Sequence, residues 1–324
     1  MANVKDPPYS ARGDGVTDDT DAIQRALDEN RDVFLPKGHY RISHPLRLGR
    51  ENRLFGLGVH SKIEPLPDAP AFSDPRNPSP MLETPDDATA RCVAAFFQLW
   101  CRWPGAYAIH WRAGRDSMVR TVRTKSWPWP DGAAPADHPI IVIEGHGGGR
   151  WYNTLMHQKF PQTLRHRHVL VRGTREPLAF YMLNPEHSRA DYMVEFVDVR
   201  RVRVYGVKSE TLGANGPRDL TPVLIRRSAQ FAIYGHGGNA SAPVGEPLYR
   251  IVESAGFVLA NFSYQFFPPA VPPEKWYMVE ERLPDGAVVR TPATEFFALY
   301  KRGGGRAAAP AKRRPGHRGT GSGR

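Results

Sequence analysis

The C-terminal half of the chain repeats one pattern of two short strands with a period of 26 to 29 residues. The pattern starts at Val194, recurs 29 residues later at Val223, and recurs 26 residues after that at Tyr249. In each copy, two segments of alternating residues are joined by a turn of constant length. A unit of this size buries its apolar face only by stacking on its neighbours. The period therefore predicts a solenoid of stacked strands.

Alternation within the repeat assigns each position to the inside or the outside of the solenoid. Two inward stacks are expected: Phe196, Ile225 and Ile251 in one, and Val202, Phe231 and Phe257 in the other. The same alternation directs a second set of side chains outward: Glu195, Arg226, Arg250, Arg203, Tyr205 and Tyr234.

A second repeat has a longer spacing. Residues 141–149 read IVIEGHGGG and residues 231–239 read FAIYGHGGN, 90 residues further along the chain. Glycines permit a sharp exit from a strand. If 90 residues make three turns, His146 and His236 lie on one edge of the solenoid, about 14 Å apart. We then expect them to flank a shallow groove that contains Glu210 and Glu195 between turns.

Composition agrees with a large folded core. The 324 residues include 40% hydrophobic residues, with a mean hydropathy of −0.49. No segment approaches the ~18 consecutive apolar residues of a membrane span, so a transmembrane protein is excluded and no membrane partner is expected. The 31 prolines and 30 glycines favour short elements and turns over long helices.

The positive charge is concentrated at the C-terminus. Of the net charge of +11, eight positive charges lie after residue 300, with no acidic residue among them. Residues 303–324 contain no large apolar side chain, so they cannot offset the entropy of ordering. We predict a folded domain over residues 3–300 and a disordered basic tail over 301–324. Because the tail has no interleaved aromatic residues for stacking, no specific nucleic-acid partner is expected.

The N-terminal segment carries the most specific motif. Residues 13–20 read GDGVTDDT, residues 22–27 read AIQRAL, residues 34–43 read FLPKGHYRIS and residues 54–58 read LFGLG. This order resembles the pectate-lyase-like superfamily, including pectate lyase superfamily 3 and proteins related to glycosyl hydrolase families 28 and 55. The resemblance covers about the first sixty residues. It implies an all-β, single-stranded right-handed parallel β-helix with a short N-terminal capping helix, in which the aspartates of the motif are cap and turn residues.

The resemblance also implies a carbohydrate ligand, with a polysaccharide or oligosaccharide as the partner. It further implies a secreted or cell-surface location, although residues 1–6 show no apolar signal-peptide core. Neither the location nor an oligomeric state is specified by the residues themselves.

Several well-known catalytic patterns do not occur in the sequence. The G-x-S-x-G elbow, the H-E-x-x-H motif, the P-loop and the complete dinucleotide fingerprint are missing. A glycoside hydrolase needs two carboxyl groups, whereas a lyase needs a base and a cation or arginine. We favour the hydrolase because no Asp-rich calcium cluster is evident. A non-catalytic glycan-binding or structural module, and one half of a longer two-helix glycosidase, remain alternatives.

The candidate residues come from the outward positions and turns of the repeat. The acid and base candidates, with the histidine expected beside them, are Glu195, Glu210, Asp191 and His236. The candidate substrate-binding residues are Tyr234, Tyr205, Arg203, His146 and Glu144. Glu210 is expected in the loop that follows residues 202–206.

No metal site or cofactor is predicted. His166 and His168 have the wrong alternation for a metal pair without a third ligand. Cys92 and Cys101 permit one disulfide but also fit buried free thiols. Six of the seven tryptophans lie within residues 100–151, which suits either sugar stacking or packing of the Pro-rich segment onto the body.

Overall fold

The computed structural model describes residues 1–125, 135–157, 163–188, 190–211, 221–238, 241–262, 271–295 and 297–303. These residues form a right-handed parallel β-helix of about nine turns, as predicted. Each turn contributes strands to three faces, which we call face 1, face 2 and face 3. None of the helices in the described residues has the length and hydrophobicity needed to cross a membrane.

In the N-terminal turns each face has its own short strands, and the strands within a face are parallel. Face 1 contains β1 (Ala2–Asn3), β3 (Asp32–Phe34), β6 (Arg53–Phe55), β9 (Val93–Ala95) and β12 (Met118–Arg120). Face 2 contains β2 (Asp14–Asp18), β4 (Gly38–Ile42), β7 (Ser61–Pro65), β10 (Gln98–Trp100) and β13 (Arg123–Lys125). Face 3 begins with β5 (Leu46–Arg47), β8 (Ser79–Glu83), β11 (Ala106–Trp111) and β14 (Pro139–Ile143).

In the later turns one long bent strand serves both face 1 and face 2. These long strands are β15 (Gly149–His157), β17 (Leu178–Ser188), β19 (Val202–Thr211), β21 (Ala229–Gly238) and β23 (Ala255–Phe262). Face 3 continues through β16 (Arg167–Arg172), β18 (Tyr192–Val197), β20 (Thr221–Arg226), β22 (Pro247–Val252) and β24 (Tyr277–Arg282). Two antiparallel strands close the C-terminal turns: β25 (Val288–Pro292) pairs with β24, and β26 (Phe297–Arg302) pairs with β23.

The bend in each long strand is made by a residue in the left-handed backbone region. Gly206 and Gly235 have φ angles of 82° and 85°, a conformation that glycine adopts without steric cost. Asn153, Met182 and Asn261 occupy the same position with φ angles of 50°, 65° and 56°. Each bend turns the chain from face 1 to face 2.

The α-helix α1 (Thr20–Glu29) lies at the N-terminal end, between β2 and β3. Its Ile23, Ala26 and Leu27 are buried, as the spacing predicts. The carboxylate of Asp19 accepts hydrogen bonds from the backbone N–H groups of Arg12 and Gly13 at 2.6 and 2.9 Å. This aspartate therefore stabilises the turn before the helix. Three short 3₁₀ helices span Gly58–His60, Pro70–Phe72 and Pro273–Lys275.

Both predicted inward stacks are confirmed. Phe196 pairs in register with Ile225, and Ile225 with Ile251. Phe231 pairs with Phe257, their ring centroids 4.9 Å apart and their planes 12° from parallel. Stacking of like residues on successive turns therefore forms the core.

The tryptophans divide between the core and the surface. Trp111 and Trp151 are fully buried and pack edge to face with ring centroids 5.4 Å apart. Trp100 lies on the outer side of face 2 and is partly exposed. Trp127 and Trp129 lie outside the described residues. Packing in the core thus accounts for part of the concentration of tryptophans within residues 100–151.

The expectation that the two Gly-His-Gly-Gly segments share an edge is wrong. His146 follows β14 on face 3, whereas His236 lies within β21, in its face 2 portion. The same four residues end a strand in one case and form a bend inside a strand in the other. The two histidines therefore do not flank a common groove.

Two smaller expectations also differ from the structure. Glu210 lies within β19 rather than in a loop, because that strand continues to Thr211. Lys301 and Arg302, assigned to the tail, belong to β26 and pair with Val258 and Phe257. Residues 304–324 lie outside the described residues.

Candidate functional site

Face 2 brings Glu210 beside a second carboxylate, which the sequence pattern did not indicate. Glu186 on β17 pairs in register with Glu210 on β19. Both side chains point outward, and ligand atoms of Glu186, His187 and Glu210 lie within 4.8 Å of one another. The two carboxylates are 13% and 24% exposed, so solvent reaches both. The structure therefore contains a paired carboxylate on an accessible face.

Lys208 lies between the two carboxylates. Its Nζ donates a hydrogen bond to Glu186 Oε1 at 2.6 Å and another to Glu210. Burial opposes ionisation of Glu186, but the hydrogen bond from Lys208 outweighs it, so the pKa of Glu186 is lowered. Burial likewise disfavours the charged form of Lys208, but the bonds to both glutamates outweigh it and raise its pKa. All three side chains are thus held in one hydrogen-bonded network.

Glu186, His187 and Glu210 together offer the oxygen and nitrogen ligands of a metal site. The ammonium of Lys208 already neutralises the space between the carboxylates. A divalent cation would have to displace this ammonium, so the arrangement suits acid–base chemistry better than metal binding.

The other acid and base candidates lie on face 3. Glu195 on β18 is buried between Arg167 and Arg226, whose nitrogens lie 2.8 and 2.9 Å from its oxygens. Asp191 lies just before β18, where its backbone bonds to Leu164 and Thr221. The structure therefore does not bring Glu195 and Asp191 together with Glu210.

His236 is an interior residue. Its side chain contacts the ring of Phe262, and its Nδ1 lies 2.8 Å from the hydroxyl of Tyr249. Burial lowers the pKa of His236 to about 3. The imidazole is therefore neutral at pH 7 and does not face the carboxylate pair.

The predicted tyrosines form part of a ladder on face 1. The rings of Tyr152, Tyr181, Tyr205 and Tyr234 stack on successive strands, with centroids 4.6, 5.0 and 5.3 Å apart. Arg203 lies on the same face and donates to the carbonyl of Gln230. Because the rings cover one another's faces, mainly their edges and hydroxyls meet solvent.

His146 and Glu144 lie at the end of β14, beside face 3. His146 Nδ1 lies 2.9 Å from the Asp86 carboxylate. Glu144 bonds His110 at 2.8 Å and also bonds Arg172. The nine predicted site residues are therefore distributed over all three faces.

The remaining histidine and cysteine motifs are internal. His166 and His168 are fully buried, and their rings bond each other at 3.1 Å. Cys92 and Cys101 are buried and are not joined in a disulfide. Burial raises the pKa of Cys92 to about 12, which makes it a poor nucleophile.

Comparison with known proteins gives one family-model match and several partial relatives. Residues 1–67 match the model described as rhamnogalacturonase A/epimerase, pectate lyase-like. A glucan 1,3-beta-glucosidase of Cochliobolus carbonum is 28% identical over 181 residues, 45% of this chain and 21% of that protein. An alginate lyase 7 of Azotobacter vinelandii is 54% identical over 46 residues, 13% of this chain and 5% of that protein. The chain thus spans a minor part of the curated relatives it matches.

Several solved structures are similar over most of the chain. One of them is a 1,3-alpha-1,4-beta-D-galactose-4-sulfate-3,6-anhydro-D-galactose-2-sulfate 4 galactohydrolase, with a TM-score of 0.55 and 13% identity. The alignment covers 81% of this chain and 61% of that one. At this identity the likeness concerns the fold alone. With the N-terminal family match, it identifies the architecture as the pectate-lyase-like right-handed parallel β-helix.

Proposed function

We propose that this protein is a carbohydrate-active enzyme that hydrolyses a polysaccharide, with Glu186 and Glu210 as its two carboxyl groups. The observation that carries the proposal is their register pairing on face 2, with oxygens within 4.8 Å. The match to a glucan 1,3-beta-glucosidase over 181 residues supports a hydrolase. The alginate lyase match extends over only 46 residues.

The separation of the two carboxyl groups suggests a stereochemical outcome. Retaining glycosidases hold their carboxyl groups about 5–5.5 Å apart, whereas inverting enzymes leave about 6.5–9.5 Å for a water molecule. The pair in this protein is closer to the retaining geometry. Glu186, whose pKa is lowered, would attack the anomeric carbon, and Glu210 would protonate the leaving oxygen.

Lys208 connects substrate binding to protonation in this mechanism. While its ammonium bonds both carboxylates, it offsets their mutual repulsion. A sugar hydroxyl that draws Lys208 away leaves two like charges within 4.8 Å, which raises the pKa of one of them. The pair would then take up one proton from water, which can be passed to the leaving oxygen.

A panel of pectin, alginate, carrageenan and β-1,3-glucan tests the proposal. Reducing ends without absorbance at 235 nm are expected, and proton NMR of the first product should show the anomeric configuration of the substrate. Glu186→Gln and Glu210→Gln should each lower turnover by about a hundredfold or more. Glu274→Gln, at an exposed position in a distant turn, is the matched control and should leave turnover unchanged.

A non-catalytic glycan-binding module is the second candidate. The ion pairs of Lys208 with Glu186 and Glu210 favour it, because such triads also occur as purely structural networks. Binding to one of the glycans without release of reducing ends would support this function and contradict hydrolysis.

A further inference from the structure

Face 2 carries a second group of charged side chains, in the turns before Glu186. At its centre is Trp100 on β10, flanked by Lys62 on β7 and Lys125 on β13. The ammonium groups of the two lysines lie 3.9 and 4.6 Å from the centroid of the indole ring. At such distances a cation is attracted by the ring electrons. Two positive charges are therefore held on one aromatic side chain.

The indole is fixed in its orientation. Its Nε1 donates to Gln98 Oε1 at 3.1 Å, and Gln98 Nε2 donates to the carbonyl of Val59 at 2.7 Å. The platform under the two ammonium groups is therefore in place before any ligand arrives.

Below this platform the charge balance is positive. The Glu64 carboxylate is 1% exposed. It forms ion pairs with Arg41 and Arg102 at 2.9 Å each and with Lys62 at 3.3 Å. His39 bonds the same carboxylate at 2.6 Å. Burial opposes its ionisation, but these partners outweigh it and lower the pKa of Glu64 to about 2. One carboxylate thus faces two arginines and a lysine.

The two lysines on Trp100 have at most a shared acidic partner among the described residues. Lys125 has no ion pair within the described residues, and Lys62 shares Glu64 with two arginines. Burial lowers the pKa of Lys62 even though Glu64 opposes the change. An incoming anion would stabilise the charged form of this lysine.

The platform opens onto a cleft. The cleft measures about 520 Å³ and its lining includes Lys37, His39, His60, Lys62, Gln98 and Trp100. Cationic and hydrogen-bonding groups therefore line an open space large enough for a sugar residue, on the Lys62 side of Trp100.

The cleft and the carboxylate pair share one face. Trp100 pairs with Lys125, Lys125 with His157, and His157 with Glu186. Since adjacent strands lie about 4.8 Å apart, Lys125 is about 10 Å and Trp100 about 14 Å from Glu186 along the axis. A glycan chain lying along face 2 would contact both places.

We propose that Lys62 and Lys125, held on Trp100, form a subsite for the anionic group of a glycan, either a sulfate ester or a uronate carboxylate. That this glycan is also the substrate rests on the proposed hydrolase function. In that case the polysaccharide that is hydrolysed is acidic. The binding of an anionic glycan at Trp100 does not depend on hydrolysis.

Isothermal titration calorimetry on the full chain at fixed ionic strength tests the subsite. The probes are iota-carrageenan oligosaccharides for sulfate, oligogalacturonates for carboxylate, and laminarin oligosaccharides as the neutral reference. We expect one of the two anionic probes to bind at least about tenfold more tightly than laminarin, because hydrogen bonds to charged groups contribute more than neutral ones. Comparison of the two anionic probes identifies the group that is bound.

Substitution of the two lysines tests whether the anionic probes bind at Trp100. Two variants are measured: Lys125→Gln alone, and the double variant Lys62→Gln with Lys125→Gln. Each should weaken binding of the anionic probe by about tenfold or more and leave the affinity for laminarin unchanged. Lys275→Gln, an exposed lysine of a distant turn, is the charge-matched control. Lys125 makes no ion pair in the described residues, so its variant should keep the melting temperature. Equal weakening by Lys275→Gln, or unchanged affinity in both face 2 variants, would overturn the subsite.

The two proposals fail in different ways. If Glu186→Gln abolishes cleavage and the lysine variants bind anionic probes normally, the subsite is wrong and the hydrolase stands. If no glycan is cleaved and the lysine variants still lose anionic binding, the subsite stands and the hydrolase is wrong.

Discussion

Glu186 and Glu210 are register partners on adjacent strands, with their carboxylates held within 4.8 Å by the fold. Like charges repel at this distance, and Lys208 offsets the repulsion by bonding both groups. We expect Lys208→Met to raise the pKa of Glu186 and to lower the free energy of unfolding at pH 7 by roughly 1–2 kcal/mol. Urea denaturation measures the loss, with Lys275→Met as the control.

The stability difference between wild type and Lys208→Met should depend on pH, because the pKa of Glu186 is lowered on folding. A carboxyl group whose pKa is lowered in the folded state contributes stability above its unfolded pKa, and this stability is lost at lower pH. The unfolded reference for Glu186 is 4.5, so the difference between wild type and Lys208→Met should be complete at pH 7 and shrink below pH 4.5. A difference that stays constant down to pH 3 would contradict the role of the ion triad.

His236 and His146 come from the same sequence motif and differ in burial, which makes them a matched pair. His236→Ala should lower the free energy of unfolding by roughly 2–3 kcal/mol, because it leaves a cavity and removes the partner of the Tyr249 hydroxyl. His146→Ala should cost less than about 1 kcal/mol, since that side chain is 54% exposed. Equal effects of the two changes would show that the placement of His236 is wrong.

Burial of His236 also predicts a loss of stability in acid. Its pKa falls from 6.5 to about 3 on folding, so between these values the unfolded chain binds a proton that the folded chain does not. The contribution of the neutral His236 side chain to the free energy of unfolding is therefore complete above pH 6.5 and decreases as the pH falls toward 3. The pH slope of unfolding should therefore be smaller in His236→Ala than in wild type.

The inside and outside positions of face 1 could be read from the sequence, whereas those of face 2 could not. Simple alternation from Phe231 places Tyr234 outside, as the structure does, but it also places His236 outside. The left-handed bend at Gly235, with φ of 85°, shifts the alternation by one residue and turns His236 inward. A bend of this kind inside a strand leaves no mark in hydrophobic periodicity.

The same kind of shift explains why the sequence pattern indicates Glu210 but not Glu186. The repeat points to Glu210, but Glu186 lies 24 residues earlier, and the 26- and 29-residue repeats do not predict that spacing. The bend before Glu186 is made by Met182, with φ of 65°, rather than by a glycine. Alternation restarted at Leu183, with apolar Leu183 inside and Asn184 and Glu186 outside, is the signal that would have found it.

Phe231 provides a test of the register of the C-terminal turns. Its ring is 4% exposed and stacks on Phe257 at a centroid distance of 4.9 Å. Phe231→Ala should lower the free energy of unfolding by roughly 3–5 kcal/mol through loss of burial and formation of a cavity. Tyr234→Ala, on the same strand but 37% exposed, should cost clearly less. Chemical denaturation of both variants measures the difference, and a reversed order would refute the register.

The end of the β-helix can be located by two truncations that differ by two residues. Arg302 is the last residue of β26, and its Nη2 donates to Glu281 Oε2 at 2.7 Å, where the carboxylate is 1% exposed. A chain ending at Lys301 loses this partner and leaves a buried charge, so the free energy of unfolding should fall by roughly 3 kcal/mol. A chain ending at Gly303 keeps the ion pair, and we expect its melting temperature to match that of the full chain. Equal melting temperatures for the two truncated chains would show that Arg302 does not stabilise the last turn, and a large loss in the longer one would show that residues 304–324 contribute to the fold.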